Sequence, residues 1–218
     1  PLEFLLFARH IKTITLRWDG GERKISAKEK DGVITLSDGQ NRTRWRVFEA
    51  SEELSAEAKV DVPTGYDPDR PVPMLWAVPV KGESNGRVWT FFPTDVEISL
   101  SGILNAPWKT TEDRTSVSSG PYNNELLEVA SRLVADSLPI LVDDVDQPGD
   151  IVDILPEEDA FRRHGWLEKT LAESVYEECS RSEAFCDSNG DRCLAEDLKL
   201  SGLEPHPKTG ELWAEAPT

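Results

Sequence analysis

The chain has 218 residues, 38% hydrophobic and 30% charged, and a formal net charge of −17 from 24 Lys+Arg against 41 Asp+Glu. That length suffices for one large domain or two small ones with a self-supporting core, and no apolar run approaches the roughly 20 residues of a membrane-spanning helix. The acid excess sits mainly in residues 136–218, which hold 7 Lys+Arg against 21 Asp+Glu, so phosphate backbones are repelled and nucleic acid is disfavoured unless the basic first third acts alone.

The chain opens at Pro1 with neither an initiator Met nor a secretory signal, and reads as a segment of a longer protein. Residues 2–11 are dense enough in apolar side chains for a short buried helix. Ile14, Leu16 and Trp18 then alternate with Thr13, Thr15 and Arg17, and the period becomes that of a strand. Turn signals at Asp19-Gly20-Gly21, Asp31-Gly32 and Asp38-Gly39 space out an antiparallel meander. From Arg42 to Phe48, alternation puts Arg42, Arg44 and Arg46 on a wet face and Trp45 and Val47 on a buried one. Residues 63–73 are rich in proline and read as a loop. Two aromatic strands, 74–80 and 87–92, follow with a turn at Gly82–Gly86 between them, the second ending sharply at Pro93.

After a polar loop, 105–121, a helix opens at Tyr122-Asn123-Asn124, with Asn123 or Asn124 as N-cap and Leu126, Leu127, Ala130, Leu133 and Val134 at helical spacing. Residues 143–160 are acidic and carry Pro148-Gly149 and Pro156. A second helix is expected over 166–179, then short strands around Asn189-Gly190. The fold class is α+β, a mostly antiparallel sheet with packed helices. The expected organisation is a domain over 1–142, an acidic linker over 143–160 and a small helix-plus-hairpin region over 161–218.

His10, His164 and His206 stand singly, so no catalytic triad can be assembled, and neither common phosphate-cradling glycine motif occurs. Cys179, Cys186 and Cys193 are odd in number and form no C-x-x-C pair. They read as reduced thiols, which, with no signal, indicates the cytoplasm. Asp187, Asn189 and Asp191 begin like a calcium loop, but Arg192 and Leu198 break it, and a β-turn accounts for the same residues. Asn41-Arg42-Thr43 matches a glycosylation acceptor, without a secretory route to use it.

The most informative stretch joins Phe91-Phe92-Pro93-Thr94, then Asn105-Ala106-Pro107-Trp108-Lys109-Thr110-Thr111-Glu112-Asp113-Arg114, then Tyr122-Asn123-Asn124-Glu125-Leu126-Leu127. Physically it is a strand running into a loop with two cations and then a helix N-terminus. Such a loop can offer Lys109 or Arg114 to an anion, helped by the helix dipole, and an arginine aimed at a phosphate from outside its binding domain stabilises charge in phosphoryl transfer. Alternatively, Arg114 pairs with Glu112, Asp113 or a neighbouring acid.

These motifs, with Phe4 to Ile14 at the start, resemble the segment that follows the ATP-binding domain in bacterial sacsin-like proteins, relatives of the ninety-kilodalton heat-shock chaperones in the GHKL ATPase superfamily. The resemblance covers roughly residues 1–140. It implies the α+β fold of a middle, or transducer, domain, with Arg114 contacting the terminal phosphate of ATP held by the upstream domain of the same chain. Lys109 and Asn105 would act beside it. The family has a glutamine four residues after its arginine, where this chain has Ser118. ATP and Mg would belong to the full-length protein only, and the segment alone is expected to have no activity. The competing expectation is a non-catalytic module of a large multidomain protein, docking a client or partner protein through Arg42, Arg44 and Arg46 or through the acidic C-terminal third.

Overall fold

The computed structural model describes residues 2–39, 41–81, 85–113, 115–145, 148–157, 160, 165–187 and 191–197. A helical turn, α1 (Phe4–Phe7), precedes β1 (Thr13–Trp18), β2 (Gly21–Lys30), β3 (Val33–Ser37) and β4 (Arg42–Glu52), a continuous antiparallel meander. Asp31 and Gly32 both take positive φ, 53° and 72°, the geometry of a two-residue turn whose twist matches the strands it joins. A short helix, α2 (Ala56–Lys59), and the proline-rich loop lead to β5 (Val72–Pro79), which pairs with β4. Then come β6 (Gly86–Thr90), β7 (Phe92–Ile98) and β8 (Ile103–Asn105). All eight strands form one sheet, in the order β1-β2-β3-β4-β5-β8-β6-β7, antiparallel except for the β8–β6 pair. The expected α+β class, with a mostly antiparallel sheet and packed helices, is what the structure has.

Two details depart from the sequence reading. The turn expected over Gly82–Gly86 lies partly outside the described residues, and β5 and β6 are not neighbours, because β8 lies between them. Glycines permit this close approach: a Cβ on Gly86 would stand 1.8 Å from the Leu100 carbonyl oxygen, and one on Gly102 2.2 Å from that of Ala77. The strand after β6 also runs through Pro93 instead of stopping at it. β7 is the outer edge of the sheet, where a residue without an N–H is tolerated.

Gly102 provides a test. Its φ is 96° and its missing side chain faces backbone, whereas Gly65, at φ 85°, faces open space. Both alanine variants carry the left-handed strain, but Gly102→Ala alone must also displace β5. Its urea midpoint is expected to fall well below that of Gly65→Ala; equal midpoints would show that the approach is not rigid.

At β5 the sheet is covered on both faces, as the continuous apolar run of that strand requires. Met74, Trp76 and Val78 point to the helices: α3 (Pro121–Leu141), with Leu126, Leu127, Val134 and Leu138 buried, and α4 (Trp166–Cys179), with Leu167, Leu171 and Val175 buried. Ala77 points the other way, into a smaller core with Trp45, Trp89, Ile103 and Leu5 and Leu6 of α1. α3 begins at Pro121, after Gly120, so Asn123 and Asn124 lie inside the first turn and neither is the N-cap. Proline suits that position because its missing N–H would have had no intrahelical partner.

In the acidic segment, residues Pro148–Ile154 form a 3-10 helix, and Ile151 and Leu155 enter the core that α3 and α4 share. Ser99 N–H donates to Glu168 Oε1 (3.0 Å) and Tyr176 O–H to the Pro156 carbonyl (2.6 Å), tying α4 to that segment and to the sheet. The buried core is thus continuous from Leu54 to Ala184. A two-strand pair follows, β9 (Phe185–Cys186) with β10 (Arg192–Cys193), and a 3-10 turn over Ala195–Asp197 ends the described structure.

Candidate functional site

The loop after β8 is built from buried polar groups. Asn105 is fully buried, and its Oδ1 accepts the Phe91 N–H (2.8 Å), holding Phe91 at the turn between β6 and β7 with φ 62°. A bulky residue with positive φ is a true outlier, a cost that surrounding contacts must offset. Tyr122 O–H donates to the Pro107 carbonyl (2.9 Å), and burial pushes its phenol pKa up. Asn123, also fully buried, is the hub: its Oδ1 accepts the Lys109 N–H (3.0 Å), and its Nδ2 donates to the carbonyls of Lys109 (2.7 Å) and Ser118 (2.6 Å).

Above that hub the loop closes as a small hairpin. Ser118 N–H donates to the Lys109 carbonyl (2.9 Å), Thr110 bridges to Val117, and Thr111 N–H donates to the Ser116 carbonyl (2.9 Å). Asp113 Oδ1 accepts from Thr111 Oγ1 (2.6 Å) and from the N–H (3.1 Å) and hydroxyl (2.9 Å) of Thr115. Those bonds, the Thr111 hydroxyl first, hold the Asp113 carboxyl below its ordinary pKa. Arg114, the expected phosphate-sensing residue, falls between these two anchors in sequence and lies outside the described residues.

Lys109, the second cation expected of this loop, lies on the flank of the α3 N-terminus. Its ammonium donates to the Asp61 carboxylate and to the Asp61 carbonyl (3.0 Å). The other Asp61 oxygen faces the Tyr122 N–H in the first turn of α3 (3.4 Å). A Cβ on Gly120 would lie 2.4 Å from that same oxygen, so glycine is what lets the carboxylate in. Asp61 thus occupies the spot where the cation and the helix terminus together favour negative charge.

The Lys109 ammonium, then the Tyr122 N–H, hold the Asp61 pKa below that of an ordinary carboxyl. A carboxyl whose pKa is depressed by folding contributes stability that is complete above its unfolded value of about 3.9 and is lost as pH falls through the folded value. The urea midpoint of Asp61→Asn should therefore fall less steeply with acid below about pH 4 than that of the parent. Parallel acid limbs would mean the pair contributes nothing.

Beside Lys109 opens a cleft of about 490 Å³, lined by Phe91, Phe92, Trp108 and Thr110 among others. Phe91 and Phe92 are 50% and 62% exposed. Phe92 stacks on Phe4 of α1, with ring centroids 5.8 Å apart, which brings the first described residues to this rim. Two buried donors in this region, Trp108 Nε1 and Asn105 Nδ2, have no hydrogen-bond partner among the described residues.

Asn105 and Lys109 are therefore brought into one structural unit, and the Ser118 backbone closes it. Sequence reasoning missed Asp61, whose separation from Lys109 left no local signal, and offered Asn123 or Asn124 as a cap, whereas Asn123 is the hub of the loop. Of the three arginines expected on a wet face of β4, Arg46 is bound through two of its nitrogens to Asp144 just past α3, with both side chains mostly out of solvent, while Arg42 and Arg44 are exposed. Gly82-Glu83-Ser84-Asn85-Gly86 spells G-x-S-x-G, but the elements on either side of it are both strands, β5 and β6, whereas a nucleophile elbow lies between a strand and a helix.

Asp187 N–H donates to the Asp191 carbonyl and Asp191 N–H to Asp187 Oδ1, both 2.9 Å, the bonds of a turn; residues 188–190 lie outside the described residues. Among the described residues no cluster of three or more His, Cys, Asp or Glu side chains is arranged to hold a metal ion, and no helix is long and apolar enough to cross a membrane. Burial, then Glu178, pushes the Cys179 pKa up to about 12, so its thiol is a poor nucleophile. Comparison with protein-family models, curated proteins and solved structures finds no match.

Proposed function

We propose that this chain is the middle, transducer segment of a chaperone-like, sacsin-like GHKL ATPase, acting in the cytoplasm. It offers Arg114, with Lys109 and Asn105 behind it, to ATP and Mg held by an upstream domain of the same chain. The observation that carries this reading is a shared rim. The Phe4–Phe92 stack sets the N-terminal end of the described chain beside the cleft that Lys109 and Thr110 line, so a domain joined ahead of α1 would enter next to the cation loop.

In this account Asp61 holds Lys109 until a nucleotide phosphate competes for it, and the hairpin pinned by Asn123 and Asp113 sets the reach of residue 114. Nucleotide shifts the domain arrangement only to the extent that it binds the docked form better. The isolated chain should neither bind nor turn over ATP. The test is ATP turnover by the protein that carries this segment behind its ATP-binding domain, with and without Arg114. A non-catalytic interaction module is the competing reading, favoured by the cations of β2 and β4 that have no acidic partner among the described residues.

A further inference from the structure

On an antiparallel sheet, residues paired across strands share a face. The register puts Lys28, Thr35 and Arg44 in one row, Ser26, Ser37 and Arg42 in the next, and Lys30, Val33 and Arg46 in a third, with Lys24 beside Thr15 of β1. Arg46 pairs with Val78, so this is the face that α3 covers farther along the sheet. Beyond the Arg46–Asp144 pair the cover stops, and Lys24, Lys28, Lys30, Arg42 and Arg44 are exposed.

The result is two cationic ridges flanking a shallow trough. β2 supplies one ridge and β4 the other, about 10 Å apart, and β3 between them shows only Ser37, Thr35 and Val33. Within Gly21–Lys30, Val33–Ser37 and Arg42–Arg46 the single acid on this face is Glu22, and it is taken by Arg17 (2.7 Å); Glu29 shares the opposite face with Ile34. Lys30 has a loose surface contact with Asp31 (3.9 Å), while Lys24, Lys28, Arg42 and Arg44 have no acidic partner among the described residues.

We propose that this trough binds an extended, acidic segment of a partner protein. In an extended chain, alternate side chains repeat every 6.6–6.8 Å or so, the spacing of Lys28 from Lys30 and of Arg42 from Arg44, so carboxylates at every second position meet these pairs in step, with Ser26 setting Lys24 one repeat farther along. The face already takes one carboxylate in this way: Asp144 engages Arg46 through both oxygens, with Nη2 to Oδ1 at 2.9 Å, the paired geometry that arginine favours.

Nucleic acid fits less well. Trp45 lies on the opposite face, with Ile34, and the proposed surface has no aromatic side chain on which bases could stack. Residues 51–218, moreover, carry 14 Lys+Arg against 34 Asp+Glu, and that surface repels a polyanion bearing a charge every ~1.7 Å. A short acidic segment can lie in the trough without meeting it.

The experiment is fluorescence anisotropy of a labelled oligo-glutamate peptide titrated with the 218-residue chain at low and moderate salt, against labelled oligo(dT) and anionic lipid vesicles. Oligo-glutamate is expected to bind best and to weaken steeply as salt screens the contact. The double reversal Lys28→Glu with Arg44→Glu is expected to weaken it on the order of tenfold or more, while Arg132→Glu, on the exposed side of α3, leaves it unchanged. Since Lys28 and Arg44 are exposed, an unchanged circular dichroism spectrum and melting temperature would confirm that the reversals leave the fold intact. Absence of binding, tighter binding to oligo(dT) or vesicles, or equal losses from the Lys28/Arg44 and Arg132 variants would each overturn the proposal.

Discussion

Replacing Arg114 by Ala, in the protein that carries this segment behind its ATP-binding domain, is expected to lower ATP turnover on the order of 10³-fold. A guanidinium that reaches a phosphate from a second domain stabilises charge that develops as the phosphoryl group leaves. It acts in the transition state more than in the ground state, so kcat should fall by more than KM rises. Arg114→Lys should recover only part of the loss, because an ammonium is a point charge and cannot grip two phosphate oxygens through a planar fork. A rate equal to that of the parent would end the transducer reading, and it would leave the acidic-segment proposal standing, because that proposal concerns the opposite end of the sheet order.

Trp76→Ala is expected to have the largest effect on stability, about 3–5 kcal/mol. Trp76 is fully buried under α3, lies against Phe48 with ring centroids 6.0 Å apart, and donates its Nε1 hydrogen to the Ser101 carbonyl at 2.9 Å. Removing the indole takes away the packing between β5 and the helices and the bond that ties β5 to the turn before β8. A domain has roughly 5–15 kcal/mol in total, so the variant should sit near the edge of folding. Urea denaturation should show a much lower midpoint at unchanged slope. A loss below about 1 kcal/mol would place this substitution among ordinary ones and the energetic centre of the core elsewhere.

What was legible in the sequence was mostly periodic. The meander from Thr13 to Phe48, the burial of Trp45 against exposed Arg42 and Arg44, and the helix at 166–179 follow from spacing and turn residues, because each depends on neighbours a few positions away. Gly82–Gly86 read as a turn joining two paired strands, yet the strands on either side are not partners. The insertion of β8 depends on what Gly86 and Gly102 lack, and the backbones that fill those gaps are brought in from other parts of the chain. At the candidate site the loop and its cations were visible as composition, while the group that engages Lys109 was not.

The alternation of residue types, the turn glycines and prolines, and the charge distribution by themselves determined an α+β chain with an antiparallel meander and a cation-bearing loop ahead of a long helix. Only the tertiary structure decided that Asp61 meets Lys109, that Asn123 anchors a loop instead of capping a helix, and that Lys24 and Lys28 join Arg42 and Arg44 on one uncovered face. The physical reason is range. Periodicity records which side of its own element a residue occupies, whereas a pairing across 48 residues, or a register across three strands, is set by how the packed elements fit together.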